Sequence, residues 1–278
     1  MGDVDRVLTI LFWNLNKNRL DHSIVRLAMR YQIDVLTFAE STIPSERLLI
    51  ALNQSGEATY HHAPSQGCKK IQTFTSFSVQ NSPLVLEDDR LVARGLRWPN
   101  AINDILLAVL HGPSRMYLSE TDLTTESAIF SDLVRTAERL VGHERTVLIG
   151  DFNMNPYDTG MVNANGFHGV MSRQIALRRT RSVQHRTYPL FYNPMWGLFD
   201  DLTPGAPGTF YRNEPGHESY FWHMLDQVLI RPALLEHFGP GSVQILDTDG
   251  ERSFLKENGQ PNKGESSDHL PILLRLNL

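Results

Sequence analysis

Apolar residues recur along this chain in short blocks that end abruptly at polar punctuation. Val7 to Phe12, Asp34 to Ala39, Ile105 to Leu110, Thr146 to Ile149 and Ile272 to Leu276 are runs rich in β-formers, the pattern of buried strands. Tyr220 to Ile230 and Val243 to Leu246 read the same way. Helical spacing falls elsewhere. Ile24, Leu27, Ala28 and Tyr31 form one stripe of a helix capped by Asp21 and running to Gln32, and Pro44 opens a short helix ending near Leu52. Thr121 to Val141 is the longest helical stretch, with Ala128, Ile129, Leu133, Ala137 and Leu140 on its apolar face and Gly142 as its stop. Pro232 begins another short helix. Ile71 to Val79 and Leu91 to Trp98 alternate as antiparallel strands, with turns at Asn81-Ser82-Pro83 and Glu87-Asp88-Asp89. From Asn153 to Gly216 the chain is proline-punctuated and loop-rich.

Length and charge narrow the classes. A chain of 278 residues can bury a substantial core, and without repeat or linker it reads as a single domain, 1–278. The net charge of -5 excludes a protein that coats nucleic acid by charge alone, though not a local basic groove. The single cysteine, Cys68, rules out an internal disulfide framework and fits a reducing compartment. Met1 to Arg6 is acidic and lacks an export signal, Arg6 stands where a myristoylation motif needs Ser or Thr, and no apolar run spans a bilayer. A cytoplasmic protein, with no membrane and no obligate protein partner, is expected.

The polar residues that terminate the apolar runs are the candidate chemistry. They are Asn14 and Asn16, Glu40, His111, Asp151 and Asn153, Asp226, and Asp268 with His269. In Gly150-Asp151-Phe152-Asn153, continued extension would project the acid and the amide from one face; a plain strand followed by an Asx turn is the alternative. Singly, each is a common cap or turn residue. Together, carboxylates, amides and histidines at strand ends suit a hard cation and a phosphoester. Mg²⁺ takes oxygen ligands, a role for Glu40 and Asp268, while Asn14 and Asn153 can donate to a phosphoryl oxygen. His269 oriented by Asp226 would supply a base or a charge stabiliser.

Five motifs carry a resemblance: Phe12-Trp13-Asn14, Ala39-Glu40-Ser41, Gly150-Asp151-Phe152-Asn153, Leu225-Asp226-Gln227 and Ser267-Asp268-His269-Leu270-Pro271. In this order over almost the whole chain, they resemble the endonuclease/exonuclease/phosphatase (deoxyribonuclease I-like) superfamily. The resemblance implies an α+β fold, a four-layer αββα sandwich of two packed mixed β-sheets flanked by helices, with the site at one edge. It implies a divalent-metal-dependent phosphodiesterase using Mg²⁺, with Mn²⁺ able to substitute. Glu40 would be the principal metal ligand, with Asp268 and Asn14 near the metal. Asp151 and Asn153 would position the attacking water and the phosphate, and Asp226 with His269 would form the catalytic dyad. His111 resembles the second histidine of deoxyribonuclease I, for which no acidic partner stands between Lys69 and Phe77. Asn16, a substrate-contact candidate, replaces an aspartate of the abasic-site enzymes.

The substrate is open on these motifs alone, because the superfamily acts on nucleic acids, poly(A) RNA, inositol phosphates and phospholipid head groups. The segment Ser172 to Trp196 favours nucleic acid, with DNA cut internally as the expected substrate. It carries Arg178, Arg179, Arg181, His185 and Arg186 beside Tyr188, Phe191, Tyr192 and Trp196, basic groups for phosphates and rings for bases. A solvated face with a packed aromatic loop is the alternative.

Overall fold

A computed structural model describes residues 7–54, 58–98, 103–116, 118–202, 204–213, 215–217 and 219–278. Met1 to Arg6, on which the targeting expectations rest, lies outside them. The chain opens with β1 (Val7–Asn14), α1 (Asp21–Tyr31), β2 (Val35–Ala39), α2 (Ser45–Gln54), β3 (His61–His62) and β4 (Ile71–Thr75). It continues through β5 (Leu84–Glu87), β6 (Leu91–Leu96), β7 (Ile105–His111), α3 (Glu120–Val141) and β8 (Thr146–Asp151). Short elements follow: α4 (Thr159–Val162), β9 (Gly169–Val170), α5 (Arg173–Ala176), β10 (Thr180–Val183), β11 (Arg186–Pro189) and β12 (Phe191–Tyr192). The remainder is β13 (Phe210–Tyr211), β14 (Trp222–His223), β15 (Asp226–Ile230), β16 (Val243–Ile245) and β17 (Ile272–Asn277).

Two mixed sheets form the frame. The first runs β16-β17-β1-β2-β4-β3 and the second β5-β6-β7-β8-β15-β12-β9. Strand β1 lies parallel to β2 and antiparallel to β17, and β8 lies parallel to β7 and antiparallel to β15. Alternation along each strand explains why the blocks read as continuously apolar, since a strand buried on both faces has no wet side. Leu8, Ile10 and Phe12 of β1 point into a core shared with Val109, Val147, Ile149 and Val228 of the other sheet. Leu11 and Trp13 point the other way, onto Ile24, Leu27, Leu48 and Leu52 of α1 and α2. Phe130, Val134 and Ala137 of α3 cover the outer face of the second sheet at Leu106, Ala108 and Leu148. Helix, sheet, sheet and helix are thus the four layers. Among the described residues no helix is long and apolar enough to cross a membrane.

Four local expectations are corrected. The 71–79 and 91–98 segments are not partners: β4 pairs with β2 in the first sheet, while β6 pairs with β5 and β7 in the second. The buried side of α3 is also rotated. Ile129 and Leu140 are 49% and 64% exposed, whereas Ser131 and Glu138 are buried. The reason is a buried ion pair: the Arg231 guanidinium donates to both carboxylate oxygens of Glu138, at 2.7 and 3.1 Å, and so draws a charged position inward. Asp21 lies within α1 and makes no cap hydrogen bond, its carboxylate accepting instead from Arg47 Nε at 2.7 Å. The 220–230 strand is broken at Phe221, whose φ of 57° belongs to the left-handed region, so β14 forms a separate ribbon with β13.

Candidate active site

The register of the second sheet assembles one row of the site. Asp151 lies opposite both His111 on β7 and Asp226 on β15, so three side chains from different parts of the chain end side by side. Gly150 permits this approach. A Cβ there would sit 1.9 Å from the Leu110 carbonyl oxygen, so any other residue would push β7 and β8 apart just before His111 and Asp151. The other row comes from the first sheet, where β1 ends at Asn14, β2 leads into Glu40, and the segment before β17 holds Asp268 and His269.

The rows meet through hydrogen bonds. Asn14 Nδ2 donates to Asp151 Oδ2 at 3.0 Å, and Asn14 Oδ1 accepts from the Asn16 amide at 3.0 Å. His111 Nε2 lies 3.5 Å from Glu40 Oε1 and 4.0 Å from Asp151 Oδ2. Asp151 Oδ1 accepts from the Asn153 amide at 2.9 Å, and Asn153 Nδ2 donates to the Gly112 carbonyl at 3.1 Å. Asp226 Oδ2 and His269 Nδ1 are 2.8 Å apart, and both residues are buried. The turn chemistry is unusual here: Asn16, Glu40 and Asn153 have φ of 46°, 49° and 52°, a conformation that costs side-chain-bearing residues energy and that gathers where side chains must be aimed.

Charge follows from this packing. Burial disfavours an imidazolium at His269, but Asp226 and Asp151 beside it outweigh that and hold it protonated, its pKa raised to about 10. Burial pushes the Asp151 carboxyl up, against the pull of His269. The His111 imidazole beside it lowers the Glu40 carboxyl, helped by Asn14. Asp151, Asp226 and His269 offer ligand atoms within 4.8 Å of one another. The imidazole, committed to Asp226 and held as a cation, suits a hydrogen-bonding dyad better than metal ligation. Oxygen donors for a hard cation stand beside it: Glu40 is half-exposed with a lowered pKa, and among the described residues nothing donates a hydrogen bond to the buried Oδ1 of Asp268. That donor set fits Mg²⁺.

Supporting residues complete the shell. Ser267 Oγ donates to the Asn14 carbonyl at 2.6 Å and accepts from the His269 amide at 3.1 Å. Trp13 Nε1 donates to the His269 carbonyl at 2.8 Å, the Phe210 ring centres 4.8 Å from that of His269, and Thr209 Oγ1 accepts from the Asp226 amide at 3.0 Å. Ser267 and Trp13 stand within the sequence motifs. Thr209 and Phe210 lie in the loop-rich region with no periodic signal, and only the fold brings them here.

The basic segment lies elsewhere. Arg181 and Arg186 are on the β10–β11 hairpin, Arg178 and Arg179 just before it, and all four are exposed. Arg179 faces Glu144 at 4.0 Å, and hairpin residues Thr180, Thr187 and Pro189 share a cavity with Gly142 and His143. This is the Thr146 end of β8. Five strand steps separate it from Asp151, roughly 17 Å at about 3.3 Å per residue. Phe191, expected among the base-stacking rings, is fully buried under Arg231, whose guanidinium carbon is 3.7 Å from its ring centre. Tyr192 packs on Phe238, ring centres 5.8 Å apart.

No family model and no curated protein matches the sequence. Solved structures match it over nearly their whole length. The chain is similar to D. rerio TDP2 complexed with single-strand DNA product, with TM-score 0.56, 13% identity, 99% of this chain and 100% of that chain covered. It is similar to the 3′ phosphatase NExo from Neisseria bound to a product DNA hairpin, with TM-score 0.57, 13% identity, 98% of this chain and 100% of that one covered. It is also similar to an endonuclease/exonuclease/phosphatase family protein from Bacteroides thetaiotaomicron, with TM-score 0.55, 12% identity and 98% of each chain covered. At these identities the likeness is one of fold.

Proposed function

We propose that this chain, which has the endonuclease/exonuclease/phosphatase (deoxyribonuclease I-like) fold, is a Mg²⁺-dependent phosphodiesterase acting on nucleic acid, with DNA cut internally as its substrate. One observation carries the reading: Asn14, Glu40, His111, Asp151 and the Asp226–His269 pair, contributed by the facing edges of two sheets, close into one connected network. A packing role would need neither so many buried ionisable groups nor left-handed residues to aim them. That TDP2 and NExo were both solved with DNA supports the substrate class.

Glu40 and Asp268 would hold the cation, which when bound supplies charge neutralisation at a phosphoryl oxygen. The protein's own groups divide the remaining work. Asn14, with its amide nitrogen on Asp151 and its backbone carbonyl held by Ser267, is fixed as a donor at the mouth of the site. Asp151, a buried carboxylate with a raised pKa, accepts the proton of the attacking water as that oxygen bonds to phosphorus. Asn153 orients Asp151 through its backbone amide. His269 spends Nδ1 on Asp226, so its Nε2–H is left to face the charge that develops on the phosphoryl oxygens as the leaving oxygen departs. His111 bridges Glu40 and Asp151 and keeps the two carboxylates in register.

The test is a side-by-side screen of plasmid DNA, poly(A) RNA, inositol phosphates and sphingomyelin, with Mg²⁺ and with chelator. Nicking of plasmid that chelator abolishes and Mg²⁺ or Mn²⁺ restores is the expected result. Activity that persists in chelator, or no hydrolysis of any of the four, would overturn the reading; preference for another substrate would retain the chemistry and reject DNA.

A further inference from the structure

The basic hairpin stands too far from Asp151 to hold the phosphate being cut, yet packed rings link the segment after Asn153 to a cleft beside the hairpin. Tyr157, four residues beyond Asn153, packs against Trp196 at 6.1 Å between ring centres and against Tyr220 at 5.6 Å. Tyr220 is 59% exposed. Trp196 in turn lines a cleft of about 470 Å³ whose other walls include His168, Ser172, Arg178, Thr180 and Arg181. Among the described residues, Tyr157 Oη and Trp196 Nε1 are buried without a hydrogen-bond partner. Rings thus connect the segment after Asn153 to the cleft, and Arg178 and Arg181 stand in its wall.

The hairpin is built to present those cations. In its register Arg181 faces Tyr188 and Val183 faces Arg186, so both arginines and the tyrosine share one face, with Thr180, Ser182 and Thr187 on the other. Its turn holds Gln184 and His185 at φ of 47° and 65°, a geometry usually given to Asn-Gly, and Arg179 enters the hairpin at 67°. Two left-handed residues in the turn and a third just before β10 set the twist that holds the hairpin's arginine face out to solvent. Among the described residues, Arg178, Arg181 and Arg186 make no ion pair, whereas the neighbouring Arg135 pairs with Asp132 at 3.4 Å.

Resting on the nucleic-acid reading above, the geometry points to a second, non-catalytic site: a single nucleic-acid strand leaves the catalytic edge over Tyr220 and Trp196, enters the cleft, and is anchored by its phosphates on Arg178, Arg181 and Arg186. Rings that stack bases without regard to sequence, beside cations that follow the backbone, are the chemistry of single-strand binding. The anchor therefore selects for strand length rather than base identity. A fragment too short to reach from Asp151 to the hairpin gains nothing from it.

Fluorescence anisotropy in chelator, where nothing is cut, tests the site with oligothymidylates of about 20 and about 5 nucleotides. The wild-type protein binds the longer probe on the order of tenfold tighter. R178Q/R181Q/R186Q removes that advantage and flattens the slope of log affinity against log salt by about 2, as expected for three lost phosphate contacts on a single strand. Should the triple variant lose its thermal transition, R186Q alone at the exposed turn still lowers the slope by roughly 0.7. Equal affinity of the wild type for both probes, an unchanged advantage in the variants, or displacement of the long probe by poly-glutamate as effective as by unlabelled oligonucleotide would overturn the site. Hydrolysis is no part of this readout, so a protein that binds the long probe through these arginines but cuts nothing would overturn the phosphodiesterase reading and leave the anchor standing.

Discussion

His111 Nε2, at the end of a strand in one sheet, lies 3.5 Å from Glu40 Oε1, at the end of a strand in the other. The contact closes the gap between the sheets at the edge where the polar residues collect, and it gives His111 the acidic partner that the residues from Lys69 to Phe77 do not supply. If the pair acts as one unit, its two members are not independent in catalysis. His111→Ala should slow plasmid nicking on the order of a hundredfold, and Glu40→Ala should slow it more. The double variant should be little worse than Glu40→Ala, whereas multiplied losses in single-turnover rates would show that the two residues act separately.

The Asp226–His269 pair makes a parallel claim. With Nδ1 of a raised-pKa imidazole 2.8 Å from a buried carboxylate, His269→Ala should cost on the order of a hundredfold to ten-thousandfold in rate while the protein stays folded. Asp226→Asn should cost less, because the ring remains in place without its counter-charge. Near-wild-type rates for His269→Ala across pH would remove the dyad and leave His111 as the leading imidazole.

Stability away from the site turns on Glu138. Its carboxylate is the partner of Arg231, and the two side chains are only 6% and 2% exposed. Glu138→Ala leaves a buried guanidinium without its counter-charge, which costs about 3–5 kcal/mol, against a smaller loss for the isosteric Glu138→Gln. Urea denaturation of the two variants separates these outcomes, and equal midpoints would show that shape rather than charge matters there.

A second salt bridge carries a pH dependence. Burial pushes the Asp249 carboxyl up, but Arg26 Nη2 at 2.6 Å and the backbone amides of Arg252 and Glu251 outweigh it and bring its pKa from 3.8 to about 2. A carboxyl depressed in the folded state adds stability above its unfolded pKa and loses it as pH falls toward the folded one. Asp249→Asn should therefore melt below the wild type at neutral pH, with the gap narrowing between pH 3.8 and about 2. A gap constant across that window would exclude Asp249 as a source of acid sensitivity.

The strand-end residues were legible in the sequence because a buried strand is a local pattern: an apolar run reports its own burial, and the first polar residue after it marks where the run reaches an edge. Asn14, Glu40 and Asp151 were found this way, whereas Asp226 opens β15 and was picked out by its motif Leu225-Asp226-Gln227; the αββα layering followed from the resemblance these motifs carry. What was hidden is what depends on contacts between distant segments. The Glu40–His111 contact joins residues on different sheets, and the inward turn of Glu138 on α3 depends on Arg231, which lies well beyond it in sequence. The arginines of 178–186 were visible as a basic cluster. Their distance from Asp151 was not, because it depends on β8 carrying the two places at its opposite ends.

Strand β17 pairs with β1, and the segment just before it supplies Asp268 and His269 to a site whose first member is Asn14. On the proposed chemistry, this wiring orders events during synthesis. A nascent chain that has emerged as far as Leu255 already holds Asn14, Glu40, Asp151 and Asp226, but neither the imidazole nor the strand that seats it. The site closes only when β17 pairs with β1, so a chain terminated before Asp268 lacks both that carboxylate and the imidazole opposite Asp226.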